Sequence, residues 1–203
     1  MQNLPNLHNK RSISPGFARA TTILLLMVLL ICSNNNLYAS TNDPAFIYVN
    51  ISSRTLSVIK NGKPEAIFEN ISIGKGGAAK LRQRGDDKTP LGEFKIIWVN
   101  KFSRYHLFFG LDFPNLDYAV RAYKANIIND REFVEIQKAY ALKQHPPQET
   151  NLGGYIGIHG IGKGDLETHL TYNWTDGCIA LTNEQIVQLA KWVTIGTKVI
   201  IST

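Results

Sequence analysis

Cysteine is scarce in this sequence. The 203 residues hold two, Cys32 and Cys178. That excludes a disulfide scaffold, and a domain near 160 residues needs none, because it already buries about 70% of its unfolded surface. Zinc-finger spacing, an RNP signature and a basic helix are missing, and no repeat at solenoid period is visible. Only one apolar run stands out, Thr22 to Cys32. With 44% hydrophobic and 19% charged residues, the chain is too apolar for disorder and too polar for a multi-span membrane protein. Strong charge of one sign is also missing. The formal net charge is +6, but residues 1–39 carry Lys10, Arg11 and Arg19 and no acid. Without these three the excess of base over acid is halved, which does not argue for nucleic acid.

What the N-terminus has is an address. Three cations precede the apolar run, and polar Ser33-Asn34-Asn35-Asn36 follows it. This is the layout of a secretory signal peptide over residues 1–39, with the cut expected after Ala39, although Leu37 is not the small residue usual at that place. An uncleaved anchor is the alternative, and the run is short against the ~20 residues that span a bilayer. Export to the periplasm or cell envelope is the expectation. Membrane contact is then limited to the signal segment, and only if it stays uncut. Export leaves residues 40–203 as one domain with a lone cysteine, Cys178. Such a thiol is either reactive or a small buried apolar group.

Phe46 to Ile51, Thr55 to Ile59, Ala66 to Phe68, Ile71 to Ile73 and Glu93 to Val99 read as strands, with Asn61-Gly62 as a hairpin turn. Residues 74–92 read as a Gly-rich charged loop. Its Lys75, Lys80, Arg82, Arg84 and Lys88 suit a solvated surface, or else attract an anionic polymer. Asp130 to Lys143 is the first helix by periodicity, with Phe133, Ile136 and Tyr140 on its apolar face. Tyr155 to Ile158 reads as a strand ending at His159-Gly160, and Ile179 to Leu181 as another. Thr182 and Gln185 form a capping box for a helix with Ile186, Leu189, Ala190 and Val193 inward, ending at Gly196. Lys198 to Ile201 closes the chain as a strand. The expected fold class is mainly β with a few helices.

The chemistry gathers in His159-Gly160 and, further on, Thr175-Asp176-Gly177-Cys178. A cysteine nucleophile acts as thiolate, and a histidine either holds it ionised or takes its proton. Two adjacent strand ends would bring His159 and Cys178 together, and Gly177 would let backbone N–H groups face a developing oxyanion. His159, His169 and Cys178 match no compact zinc spacing, so no metal is expected, and no cofactor is implied.

These residues resemble the active-site signature of the L,D-transpeptidases, the YkuD-type family of peptidoglycan enzymes. Gly85-Asp86-Asp87-Lys88-Thr89-Pro90-Leu91-Gly92-Glu93-Phe94 is similar to that family's recurrent Gly-Asp to Thr-Pro-x-Gly segment, and Gly196 to Ile201 to its closing stretch. The resemblance implies a β-sandwich or barrel-like catalytic domain. It implies that Cys178 is the nucleophile, that His159 is its base, and that Gly177 and Cys178 supply oxyanion N–H groups, with Gly160 part of the motif. The partners it implies are peptidoglycan stem peptides, with a second stem, a lipoprotein or a free D-amino acid as acceptor. Thiol hydrolysis on the same scaffold, or a non-catalytic wall-binding module, are the competing readings. Two motif positions depart from the pattern: Asp176 stands where a second histidine is usual, and Ala180 where Arg or Asn is usual.

The remaining candidates for substrate contact are Trp174, Thr175, Asp176, His169 and His106. Asp176 orients His159 or a substrate amine, or simply forms its turn, the reading its position favours. His169 is a lid residue or an exposed loop residue. His106 lines a cleft or serves structure.

Overall fold

The computed structural model describes residues 43–203. The expected signal segment, residues 1–39, lies outside them. The chain opens with β1 (Phe46–Asn50), β2 (Thr55–Lys60) and β3 (Lys63–Glu69). Two short strands follow, β4 (Ala78–Ala79) and β5 (Thr89–Pro90), then the twelve-residue β6 (Gly92–Ser103) and β7 (His106–Leu111). Next come helices α1 (Leu116–Lys124) and α2 (Asp130–Ala141), β8 (Gly157–His159), α3 (Leu166–Thr171), β9 (Ile179–Ala180), α4 (Asn183–Leu189) and β10 (Lys198–Ser202).

Eight strands form one mixed sheet in the order β3-β2-β1-β10-β6-β7-β8-β9, while β4 and β5 pair with each other. The meander behaves as its alternation demands. Ile47, Val49, Leu56, Val58 and Phe68 point into the core, and the Asn61-Gly62 turn has both residues at positive φ, 51° and 71°. Beyond β3 the chain crosses to the far edge, where Ser72 and Ala180 exchange both backbone hydrogen bonds (3.0 and 2.7 Å). The sheet therefore curls until its two ends meet through this bridge, as a barrel-like domain requires. Ile71 to Ile73, expected as a strand, contributes only that bridge.

Two helices escape the periodicity. The buried residues of α1 are Tyr118, Ala119 and Ala122, and alanines make a weak apolar stripe. α3 has six residues, and the one it buries is His169. The α2 boundary is close to that expected, but Tyr140 is 65% exposed, and Ile136 and Ala139 do the packing. α4 starts at its capping box as expected and stops early, at Leu189. Its continuation tightens into i to i−3 bonds (Lys191 N–H to Gln188, Trp192 N–H to Leu189), and Thr194 to Thr197 close a turn.

Candidate active site

Strand pairing assembles the site. β8 lies between β7 and β9, with Ile158 opposite Ile179 and His159 opposite Ala180 in a parallel register. Cys178 directly precedes β9, so it falls beside the strand that ends in His159. Both residues wall one cavity of about 740 Å³. Trp174, Thr175, Asp176, Tyr105 and Tyr155 also line it. A second cavity of about 650 Å³ adjoins it and shares Arg104, Tyr105 and Trp174 as a common wall.

His159 is 2% exposed and packed among rings. Tyr105 stacks on it at 4.3 Å between centroids, Phe108 lies nearly parallel at 5.8 Å, and Trp174 meets it edge-on at 5.8 Å. Its Nδ1 lies 2.7 Å from the Gly160 carbonyl. A carbonyl only accepts, so Nδ1 carries the proton and Nε2 is left as the free base. Burial pushes the imidazole down to about 4, with the His169 and Arg104 charges adding to the effect and the Gly160 bond opposing it. At neutral pH His159 is an uncharged base with a fixed tautomer. Gly160 cannot bear a side chain, because a Cβ there would lie 2.7 Å from Asn183 Oδ1 and 2.8 Å from the Tyr105 carbonyl.

Cys178 is half-buried, and its thiol donates to the Tyr155 carbonyl at 3.4 Å. Tyr155 holds a positive φ of 55°, a costly conformation for a bulky side chain. The dense shell around the sulfur pushes the thiol up to about 11. The Gly157 N–H and the Arg82 charge oppose that rise, and Asp176 adds to it.

The turn before the cysteine is tightly bonded. Thr175 Oγ1 donates to the Cys178 carbonyl at 2.7 Å and accepts the Gly177 N–H at 3.2 Å. Of the two oxyanion donors expected, Gly177 is thus already engaged, and the Cys178 N–H is the uncommitted one among the described residues. Asp176 does not bond His159. Its exposed carboxylate holds Lys75 Nζ at 2.9 Å, and Lys75 also meets Asp87 at 3.2 Å. His169 is neither exposed nor in either cavity. It is fully buried, and its Nδ1 accepts the Trp174 indole N–H at 3.3 Å, so it positions the ring that packs against His159. His106 is exposed at a positive φ of 75° and lines neither cavity.

Sequence reasoning passed over Arg104, Tyr105 and Tyr155, and took Arg82 only as one cation among several in its loop. Arg82 was expected on a solvated loop, yet it is 4% exposed. Its backbone N–H donates to the Tyr118 hydroxyl at 2.6 Å, which draws the residue inward under α1. The resemblance of the neighbouring segment, Gly85 to Phe94, to the family's Gly-Asp to Thr-Pro-x-Gly stretch was the signal that this loop meets the site. The contact is direct: Lys75 N–H donates to the Thr175 carbonyl at 2.8 Å.

Among curated protein sequences, none matches this chain. Among solved structures, the helical cell shape determining protein Pgp2 (K307A mutant) from Campylobacter jejuni is similar, with a TM-score of 0.53 and 21% identity over 86% of this chain and 52% of that one. Bd1075 from Bdellovibrio bacteriovorus gives 0.51 and 20% identity over 81% of this chain and 50% of that one. The chain spans about half the length of these two structures, which share its fold. A family model for the L,D-transpeptidase catalytic domain, YkuD, matches residues 44–201. That match takes in both halves of the cavity, and by it the chain belongs to the L,D-transpeptidase catalytic-domain family.

Proposed function

We propose that this chain is an exported cysteine acyltransferase acting on peptidoglycan stem peptides. The observation that carries the reading is one cavity walled by a thiol and by a neutral histidine whose Nε2 is free. His159 Nε2 takes the proton from Cys178 Sγ. The thiolate attacks the carbonyl of the third stem residue, and the tetrahedral oxyanion is met by the Cys178 N–H. The C–N bond to the terminal D-Ala breaks, and its amine leaves with the proton that His159 held. A thioester on Cys178 remains. An acceptor amine then attacks it, giving a proton back through His159, and the sulfur leaves as the regenerated thiol.

The adjoining cavity beyond Tyr105 and Trp174 supports transfer over hydrolysis, because it offers an acceptor a place beside the thioester. Asp176 meets the incoming amine in this reading, which its exposed carboxylate on the cavity wall, already bound to one amine at Lys75, supports. The test is product analysis by mass spectrometry after incubation with disaccharide-tetrapeptide. The expected product is a cross-linked dimer that Cys178→Ala does not make. Tripeptide without dimer would replace transfer by hydrolysis, and no product would remove the substrate assignment.

A further inference from the structure

We propose that Arg82 is a positioning residue for the reaction: its buried guanidinium, seated behind the Gly177–Cys178 turn, is the cation that stabilises the Cys178 thiolate. This deepens the thiol acyltransferase reading and rests on it.

The geometry is unusual for an arginine. Its side chain is buried, and Nε makes no hydrogen bond. The nearest carboxylate oxygen, Asp86 Oδ1, is 3.7 Å from Nε, beyond hydrogen-bond reach. Both Asp86 oxygens also accept backbone N–H groups, from Gln83 at 2.8 Å and from Lys88 at 3.0 Å. The guanidinium carbon lies 5.8 Å from the Phe113 ring centroid, a weak partner for a full charge. Asp86 offsets part of this buried charge, Nε is left without a hydrogen bond, and the remaining charge is there for another group to use.

What lies in front of it is the nucleophile's turn. A Cβ built on Gly177 would come within 2.7 Å of Arg82 Nη1 and 2.7 Å of the Lys88 carbonyl. Glycine at this position therefore serves two ends. It allows the φ of 126°, and it lets the guanidinium press against the residue that precedes Cys178.

A thiolate has a use for such a cation whenever His159 is without the proton: His159 is neutral at rest and is an imidazolium only while it holds the Sγ proton, which it then gives to the leaving amine. The other charges nearby do not fill the role. Asp176, on the turn itself, opposes ionisation and is bridged to Lys75, which also binds Asp87. On Arg82's own loop, Asp86 offsets part of its charge, and Lys88 is held there by its backbone. From β8, His159 receives the proton. Arg104, from the β6–β7 turn, sits on Tyr105, its carbon 4.8 Å from that ring. His169, from α3, faces Trp174. From α1, Tyr118 meets the backbone of Arg82. When Sγ–H gives its proton to His159 Nε2, the electron pair stays on sulfur with Arg82 behind it.

The test needs no stem peptide. Iodoacetamide alkylates a thiolate, forming an S–C bond and releasing iodide. The rate at Cys178 in the full chain is followed by mass spectrometry of the peptide that holds it, across neutral to alkaline pH. Arg82→Gln is expected to raise the midpoint and slow alkylation at neutral pH about tenfold, the equivalent of one pKa unit. Arg82→Lys is expected to recover most of that rate, and Asp86→Asn, which unmasks the cation, to lower the midpoint. A folded Arg82→Gln protein with an unmoved midpoint would overturn the proposal. If Arg82→Gln does not fold, an unmoved or raised midpoint in Asp86→Asn would overturn it instead. A shifted midpoint without any stem-peptide product would leave Arg82 in place and remove only the substrate assignment.

Discussion

His159 shows how burial decides which chemistry a residue can do. Three rings exclude water from its imidazole, and the Gly160 carbonyl fixes its proton on Nδ1. The charged form is disfavoured, so at neutral pH the imidazole is uncharged, the state that the proposed base requires. A pH consequence follows. Protonation of Nε2 would disable the base, and that occurs near 4 in the folded protein. The acid limb of acylation rate against pH is therefore expected near that value and well below 6.5, the ordinary histidine range. His159→Ala should cut acylation about 100- to 10,000-fold, the usual worth of a general base. A limb centred at the ordinary value, or a variant at wild-type rate, would contradict the role.

The same scale shows what a sequence displays and what it hides. Cys178 and His159 were legible as residue types at a suggestive spacing, and the resemblance gave them roles. Burial was not legible. Arg82 looks like one cation in a charged loop, and only the fold draws it under α1. His169 looks like a loop histidine, yet it is fully buried and bonded to an indole. Asp176 has an exposed partner, Lys75, about a hundred residues away in sequence, which no local pattern reveals.

At the scale of elements, the site depends on how strand ends are stopped. β8 gives up its pairing at Gly160, whose N–H still reaches the Leu107 carbonyl at 3.2 Å. The chain then passes between Tyr105 and Asn183, and Asn183 grips Gly162 through both amide atoms at 2.9 and 2.8 Å. Gly160→Ala would drive a methyl against two oxygens and Ile186. The expected cost is about 1–3 kcal/mol, read as a fall in melting temperature, since overpacking displaces backbone as well as side chains. The Gly160 carbonyl would move with it, so acylation should fall as well. An unchanged melting temperature and rate would show that this passage is looser than described. Strands with alternating burial and helices with caps were readable from sequence. α1 and α3 were not, because an alanine face and a single buried histidine give no apolar period.

For the molecule as a whole, the sheet's curl is what makes a site from distant segments. The bridge between Ser72 and Ala180 ties the strand after Cys178 to the chain leaving β3. The charged loop from Gly74 onward is held against the Cys178 turn by the same closure, through Gly74 and Thr175. Mainly β composition was legible from alternation. The strand order was not, since β10 enters between β1 and β6 although it is last in the chain. The central claim is that Cys178 carries the acyl group between donor and acceptor. The most direct measurement is the intact mass of the full chain during incubation with disaccharide-tetrapeptide, followed by mapping of the modified peptide. The account predicts an adduct equal to the donor less its terminal D-Ala, on Cys178 alone and absent from Cys178→Ala. An adduct on another residue, or turnover that persists in Cys178→Ala, would contradict it.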